Sequence, residues 1–167
     1  MPSADHSIPF EAYNGSEPYL FVSYAHKDSK LVFPEMKFLH EQGYRIWYDE
    51  GIDPGNEWPE MIAKALESCS QFLVFVSPNA VNSQNVRNEI NFAINRRKPF
   101  VAVHIQETAL PTGLELRMGD IQAILKYRMD VPRYLRQMEK TLKDGIRMHD
   151  TRTVGKGPTD QAGVAPK

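Results

Sequence analysis

Short, unbroken apolar runs alternate along this chain with segments in which apolar residues recur at helical spacing. A run such as Phe72–Val76 is too short for a typical helix and carries apolar side chains on both faces, which is typical of a strand buried on both sides. Parallel strands need long crossover connections, and those connections are usually helices that cover the sheet. The pattern therefore predicts an α/β fold with helices on both faces of a parallel sheet.

The strands are predicted at 19–24, 44–48, 71–76, 99–105 and 121–126. A chain of 167 residues has room for one domain of ordinary size with tails. Prolines and glycines interrupt residues 1–18, which predicts a flexible N-terminal segment. The folded domain is predicted over 19–146. Residues 147–167 lack aromatic side chains and are predicted to be a disordered tail or linker.

Charge and composition exclude several classes of function. The chain has 20 basic and 21 acidic residues, and its one cationic cluster is Arg96–Lys98, so a nucleic-acid-binding surface is not expected. Cys69 is the single cysteine, which rules out an internal disulfide and is compatible with a reducing compartment. The start of the chain does not resemble a signal peptide, and no apolar stretch reaches 18 residues. We expect a cytoplasmic protein that does not bind membranes.

The common cofactor and metal motifs are missing. No G-x-G-x-x-G or G-x-x-x-x-G-K-[ST] segment occurs, which argues against a bound redox dinucleotide and against P-loop phosphoryl transfer. No H-E-x-x-H segment or histidine pair at metal-ligand spacing occurs either. Ser23–His26 follow the first strand without the acidic cluster that a phospho-receiver domain uses for magnesium. We therefore expect neither a cofactor nor a metal.

Polar, aromatic and loop-forming residues follow three of the predicted strands. They are Ser23–His26, Asp49–Asn56 and Ser77–Asn79. The carboxyl ends of parallel strands meet at one edge of a sheet, where α/β folds bind ligands, so these segments predict a small-molecule site. Two glycines and a proline in Asp49–Asn56 specify a defined, exposed turn. That turn has two open interpretations, a functional loop or ordinary turn chemistry.

Glu89 is the candidate for chemistry at this edge. Helical spacing of about 100° per residue puts Glu89 at the border of the apolar stripe formed by Val86, Ile90 and Ala93. A carboxylate at such a border is partly desolvated and interacts strongly with a developing cation. The alternative is a solvated glutamate paired with Arg87 or Arg96, which is usual on amphipathic helices. If Glu89 is catalytic, its loss is expected to abolish activity and to change stability little.

These segments, in this order, resemble the bacterial form of the Toll/interleukin-1 receptor (TIR) domain, over roughly Tyr19 to Leu142. Phe21–Tyr24 resembles the first box of that family, and Trp47–Gly55 resembles its second box and the BB loop. Phe72–Asn79 is similar to the third strand, and Ser83–Glu89 to the helix that carries the catalytic glutamate in NAD-cleaving members.

The resemblance implies a flavodoxin-like three-layer fold with five parallel strands. It also implies an NAD+ glycohydrolase or cyclase that takes NAD+ as substrate, gives nicotinamide and ADP-ribose or a cyclic isomer, and is activated by self-assembly. Glu89 is then the catalytic residue. The implied substrate contacts are Ser23, Tyr24, Ala25, His26, Trp47, Asp53, Trp58, Ser77 and Asn85. Self-association, possible also with other TIR domains, is implied for the BB-loop residues Asp49, Gly51, Asp53, Pro54 and Gly55.

The chain departs from active family members at two positions. Asn85 stands where they often have tryptophan, and Ala25 where they often have arginine. An amide at Asn85 predicts weaker nucleotide binding, unless Trp47 or Trp58 supplies the aromatic wall. The alternative function is a non-enzymatic signalling module that binds other TIR domains through the BB loop, and such a module should tolerate Glu89→Gln.

Overall fold

The computed structural model describes residues 8–50 and 58–148 of the chain, without the side chains of Trp58 and Pro59. Within these ranges five parallel strands form one sheet: β1 (Leu20–Ser23), β2 (Ile46–Tyr48), β3 (Gln71–Val76), β4 (Phe100–His104) and β5 (Gln122–Leu125). Their order across the sheet is β2-β1-β3-β4-β5. Each strand lies inside a predicted segment, so the predicted α/β fold with a parallel sheet is confirmed.

Helices follow or connect these strands. They are α1 (Ser29–Glu41), α2 (Trp58–Ser68), α3 (Pro78–Val81), α4 (Gln84–Asn95), α5 (Thr112–Met118) and α6 (Val131–Thr141). Single 3-10 turns occupy His26–Asp28, Lys126–Arg128 and Asp144–Ile146. The segment 107–119, which reads from its prolines and glycines as a loop or broken helix, contains the two-turn helix α5.

The central strands β1 and β3 are almost wholly apolar because both faces of the sheet are covered there. In β1, Leu20 and Val22 face α1 and α6 in one core, while Phe21 faces α2, α3, α4 and α5 in the other. All four β1 residues and all six β3 residues are buried. The two cores fix the register of the sheet, since a shift by one residue would exchange the side chains between them.

Residues 8–18 are packed against the domain, whereas the sequence predicts a flexible segment over residues 1–18. Ile8, Phe10 and Ala12 pack against the core on the α1 side. The Tyr13 N–H donates a hydrogen bond of 2.8 Å to the Ile46 carbonyl of β2. The Tyr48 hydroxyl donates to the Phe10 carbonyl. Residues 8–18 therefore cover the exposed edge of β2, and residues 1–7 lie outside the described ranges.

Gly43 ends the turn after α1, as its position before β2 predicts. Its φ of +100° lies in the left-handed region that favours glycine, and an added Cβ would come within 2.8 Å of the Met148 carbonyl oxygen. The Met148 N–H donates to the Gly43 carbonyl at 2.7 Å. The ordered contacts thus reach residue 148 and go slightly past the predicted boundary at 146. The rest of the predicted tail, 149–167, lies outside the description.

Candidate active site

A cavity of about 120 Å³ lies where β1 and β2 end, beside the first turns of α4. Its lining combines apolar residues of β1 with polar groups from the following loops and from α4. The lining residues are Phe21, Val22, Tyr24, His26, Asp49, Ser83, Asn85 and Glu89. It lies at the edge where the sequence predicts a small-molecule site, since the carboxyl ends of parallel strands converge there.

The start of α4 fixes the position of Glu89. The Ser83 hydroxyl caps the helix by accepting a hydrogen bond of 3.2 Å from the Val86 N–H. Val86, Ile90 and Ala93 are buried against the sheet. Glu89 lies at the border of this stripe and is partly exposed, and Asn85 is exposed one turn earlier. The helical geometry that the sequence predicts is therefore present, and both polar side chains face the cavity.

Protein atoms enclose the Glu89 carboxyl group on its inner side. The Ser23 hydroxyl at the end of β1 donates a hydrogen bond of 2.5 Å to Glu89 Oε1. Burial raises the pKa of Glu89 from 4.5 to about 7, and the charge of Asp49 adds to this increase. The hydrogen bond from Ser23 and the charge of His26 act in the opposite direction. Near neutral pH the carboxyl group therefore exists in both forms.

The two arginines that could neutralise Glu89 contact other groups. Arg87 Nε donates a hydrogen bond of 2.8 Å to the Val81 carbonyl. Arg96 lies 4.6 Å from the centre of the Phe92 ring and 3.9 Å from Glu67. Within residues 8–50 and 58–148, neither arginine forms an ion pair with Glu89. The ion-paired surface glutamate, which is the alternative interpretation from sequence, is therefore not what the structure contains.

His26 and Asp49 form an ion pair in the wall of the same cavity. His26 Nε2 lies 2.9 Å from Asp49 Oδ2. This hydrogen bond raises the pKa of His26, burial opposes the increase, and the charges of Asp49 and Glu89 support it. The Tyr24 hydroxyl donates a hydrogen bond of 2.8 Å to the Asp49 carbonyl, which fixes the end of β2 against the loop after β1. The cavity thus holds two carboxyl groups and one imidazole.

The predicted contact residues do not all meet at this cavity. The structure brings together Tyr24, His26, Asn85 and Glu89 in its wall, with Ser23 directly behind Glu89. Ala25 is buried in the core under α4. Trp47 stacks on Phe21, with ring centres 5.0 Å apart, and packs against the same core. Neither residue is part of the cavity lining.

Ser77 requires a correction, because its side chain is fully buried away from the cavity. Its hydroxyl donates to the Asp28 carboxylate and accepts a hydrogen bond of 3.0 Å from the Ala80 N–H at the start of α3. This hydroxyl donates its hydrogen to Asp28 and caps α3, and Ser77 is not part of the cavity lining. The structure therefore gives Ser77 a structural role in place of the predicted substrate contact.

Asp28 is a residue that sequence reasoning missed. It is 4% exposed and accepts hydrogen bonds from the Ser77 hydroxyl and, at 2.8 Å, from Asn79 Nδ2. This cluster joins the 3-10 turn that begins at His26 to the loop after β3. Asp28 follows a lysine and precedes a serine, a context typical of the surface, so only its place before α1 gives a weak signal of capping.

Several predicted residues lie outside the described ranges. These are Gly51, Asp53, Pro54 and Gly55 of the BB loop, together with the side chain of Trp58. Residues 8–50 and 58–148 contain no group of three or more histidine, cysteine, aspartate or glutamate side chains placed to hold a metal ion. Every helix in the same ranges is too short or too polar to cross a lipid bilayer.

Comparison with known proteins assigns this domain to a family. Residues 20–140 match the sequence model of the TIR domain. The TIR domain of the Toll-related receptor TRR-2 from Hydra magnipapillata is similar in structure, with a TM-score of 0.57 and 18% identity over 72% of this chain and 94% of that one. The CMP N-glycosidase BcmB from Clostridium botulinum is also similar, with a TM-score of 0.54 and 16% identity over 74% of this chain and 99% of that one. No curated protein matches.

The family match covers the whole sheet and all but the end of α6, including Ser23, His26, Asp49 and Glu89. The two structural similarities, at less than 20% identity, show the same α/β fold. The match of the family model to residues 20–140 establishes that this chain belongs to the TIR domain family.

Proposed function

We propose that this TIR domain is an NAD+ glycohydrolase or cyclase that cleaves the bond between nicotinamide and ribose. The observation that carries the proposal is the position of Glu89, whose carboxyl group is enclosed on one side, opens into a cavity on the other, and has no arginine partner among the described residues. A carboxylate in such a place can stabilise positive charge on a bound sugar. The products are nicotinamide and ADP-ribose or a cyclic isomer.

The chemistry of NAD+ suits a site with one carboxylate at the reacting centre. Nicotinamide is cationic in NAD+ and leaves as a neutral molecule with the bonding electron pair, so its departure needs no general acid. The ribose passes through an oxocarbenium-like state in which positive charge develops at the anomeric carbon. A fixed carboxylate beside that carbon stabilises the charge as it forms, and the low dielectric of the enclosed site strengthens the effect.

The residues around Glu89 have supporting roles in this proposal. Ser23 orients the carboxylate through its 2.5 Å hydrogen bond. The imidazolium of His26, held by Asp49, favours the ionised form of Glu89 and can donate to a ribose hydroxyl or a phosphate. Asn85 presents an amide at the cavity rim. The Tyr24 hydroxyl positions Asp49 by its hydrogen bond to the Asp49 backbone carbonyl. Asp53 and Trp58 are proposed as contacts from the BB loop and the start of α2.

A second candidate reaction is suggested by the similar structure of a CMP N-glycosidase. Cytosine leaves less readily than nicotinamide because it is not cationic in CMP, so its release needs protonation of the base. The raised pKa of His26 gives the cavity a proton donor for that purpose. The two reactions depend on pH in opposite directions. NAD+ cleavage should increase as Glu89 ionises, whereas CMP cleavage should decrease as the donor is lost.

Self-association is proposed through the BB loop, which includes Asp49, Gly51, Asp53, Pro54 and Gly55. Asp49 at the start of this loop supports the proposal, because it is part of the cavity wall. A partner bound at the loop would therefore lie beside the site. Binding of other TIR domains through the same loop is the non-enzymatic alternative. The two functions differ at Glu89, since only the enzyme requires its charge.

Ser23→Ala tests the electrostatic role assigned to Glu89. The substitution removes the hydrogen bond that holds the pKa of Glu89 down, so the pKa should rise above its value of about 7. We expect the pH at which kcat/KM for NAD+ is half-maximal to increase by about one unit, with a rate at pH 7 lower by about fivefold, because the ionised fraction of Glu89 falls from about a half to about a tenth. Ser83→Ala is the matched control, because it removes the α4 cap and should lower stability without moving this midpoint. An unchanged midpoint in Ser23→Ala would contradict the role of Ser23.

The proposed activity is tested by chromatography of NAD+ after incubation with the full chain at increasing protein concentration, with and without a crowding agent. We expect nicotinamide and ADP-ribose or its cyclic isomer to accumulate, at a rate that rises more steeply than protein concentration. A parallel incubation with CMP separates the second candidate. If NAD+ stays intact under all conditions and cytosine is released from CMP, the CMP reaction is favoured. If neither compound is cleaved, the non-enzymatic signalling function is favoured.

A further inference from the structure

A second opening lies on the other side of Glu89, between α2 and α4. This α2–α4 groove has a volume of about 190 Å³ and is lined by Ile62, Ala63 and Leu66 of α2 and by Asn85, Asn88, Glu89 and Phe92 of α4. Asn85 and Glu89 also line the cavity at the ends of β1 and β2. Glu89 therefore borders both spaces, and a ligand placed at Glu89 can extend into either one.

The groove exists because the facing helices do not pack closely at this end. Asn85, Asn88, Glu89 and Phe92 follow one another at helical spacing along the side of α4 that faces α2. A closely packed helix pair would have apolar residues at such positions, but three of the four are polar. Opposite them, Ala63 is small, while Ile62 and Leu66 are buried and form an apolar floor. The result is an apolar slot with amide groups at its rim.

The Phe92 ring gives the groove an aromatic wall with a fixed orientation. The guanidinium group of Arg96 lies 4.6 Å from the ring centre. The ring is half-buried and remains accessible from the groove. Gln84 Nε2 donates a hydrogen bond of 2.9 Å to Asn88 Oδ1, which orients the Asn88 amide at the rim. An aromatic wall, an aliphatic floor and an oriented amide are the features that bind a flat heteroaromatic ring.

The cavity and the α2–α4 groove differ in charge, so each of them favours a different half of a dinucleotide. The cavity contains the carboxyl groups of Glu89 and Asp49 and the imidazole of His26, so its net charge is negative when both carboxyl groups are ionised, which favours a cationic ring. The α2–α4 groove has neutral side chains apart from Glu89 at its entrance, which favours an uncharged ring. NAD+ carries one ring of each kind, joined through riboses and a diphosphate.

From this arrangement we infer that the α2–α4 groove binds the uncharged purine base of the dinucleotide while Glu89 faces the ribose that loses nicotinamide. This inference rests on the proposed function for the identity of the reacting half. In this assignment Phe92 is the residue that recognises the second base. A groove that binds this base makes the domain selective for dinucleotides over mononucleotides. It also supplies the aromatic wall that the asparagine at position 85 does not provide.

The kinetic test compares NAD+ with nicotinamide mononucleotide, which has the same scissile bond but lacks the second base. Phe92→Ala should raise KM for NAD+ by about tenfold, as expected from the loss of base stacking, and leave kcat/KM for the mononucleotide unchanged. Ala63→Phe should fill the groove and have the same selective effect. Tyr127→Ala, which removes an exposed ring from the turn after β5, is the matched control and should change neither substrate. Equal effects of Phe92→Ala on both substrates, or on neither, would overturn the inference.

A binding measurement separates this inference from the proposed activity. We expect AMP to shift the side-chain methyl signals of Ile62 and Leu66 in NMR spectra of the full chain, and Phe92→Leu to weaken the shift while keeping the fold. If the parent protein does not cleave NAD+ but binds AMP in this way, the proposed function fails and the groove assignment stands. If AMP leaves these methyl signals unchanged, or if they respond to protein dilution instead, the groove does not bind the base and the inference is wrong.

Discussion

Glu89→Gln is expected to reduce kcat/KM for NAD+ cleavage by about a thousandfold, the largest effect of any single substitution in this domain. Removing one preorganised electrostatic group from an enclosed site typically costs about 3–4 kcal/mol of transition-state stabilisation. Glutamine keeps the size of the side chain and an oxygen that can accept the hydrogen bond from Ser23, so only the charge is lost. Release of nicotinamide from NAD+ measures the effect at pH 8, where Glu89 is mostly ionised.

The same substitution is expected to stabilise the fold at pH 8. The pKa of Glu89 is about 7 in the folded protein against 4.5 ordinarily, so the folded state binds this proton more tightly than the unfolded state. The resulting penalty is absent below about pH 4.5, grows between pH 4.5 and 7, and is complete above pH 7. A difference of this size corresponds to about 3 kcal/mol. The expectation from sequence, that stability barely changes, should therefore hold only in acid.

Urea unfolding of the parent and of Glu89→Gln at pH 4.5 and pH 8 measures this difference. Glu107→Gln is the control, because Glu107 is an exposed glutamate after β4. It should change neither activity nor the pH dependence of stability. If Glu89→Gln cleaves NAD+ as fast as the parent, Glu89 has no part in the reaction and the signalling alternative is favoured. If the two proteins are equally stable at pH 8, the carboxyl group is not desolvated as the structure indicates.

Asp28→Ala is expected to lower the free energy of unfolding by about 3–4 kcal/mol, the largest loss of stability from any single polar substitution. The substitution removes the acceptor for the Ser77 hydroxyl and for Asn79 Nδ2, and it leaves the Ser77 hydroxyl unpaired in a buried place, whereas the exposed Asn79 side chain can turn to water. Hydrogen bonds to charged groups contribute about 1.5–3 kcal/mol each, and unpaired buried groups add a desolvation cost. Because Asp28 ends the turn that begins at His26, KM for NAD+ should rise as well.

Ser77→Ala is the companion variant in a double-mutant cycle with Asp28→Ala. It should cost about 1–2 kcal/mol, because it loses one hydrogen bond and the cap of α3, and it should leave KM for NAD+ unchanged. The double variant should be more stable than the sum of the single losses predicts, since the two residues share one hydrogen bond. A raised KM in Ser77→Ala without loss of stability would restore Ser77 as a substrate contact.

The strands and Glu89 were predictable because each depends on local pattern. A strand buried on both faces must be an unbroken apolar run, so Phe72–Val76 is evident without knowledge of its neighbours. The place of Glu89 follows from helical spacing within a few residues of Val86. In both cases burial determines which positions of a segment are apolar, and that pattern is visible within the segment itself.

The polar contacts were not predictable, because they join residues far apart in the chain. Ser77 and Asp28 are 49 positions apart, and Ser23 and Glu89 are 66 apart. Their pairing depends on β1 lying beside β3 and on α4 lying beside the end of β1, which local sequence patterns do not show. The N-terminal segment was misjudged for a related reason. Its prolines and glycines suggest flexibility, but Phe10 stacks on His40 with ring centres 4.1 Å apart and holds the segment in place.

The claim that an enclosed, ionised Glu89 drives glycosidic cleavage is tested most directly by titrating this carboxyl group. The protein is labelled with ¹³C in glutamate side chains, and the Glu89 signal is identified by its loss in Glu89→Gln. Its titration is followed by NMR alongside the pH dependence of kcat/KM for NAD+. We expect both curves to have their midpoint near pH 7, with activity rising as the carboxyl group loses its proton. A Glu89 signal that titrates near its ordinary value of 4.5, with NAD+ cleavage constant between pH 6 and 8 or absent, would contradict the claim.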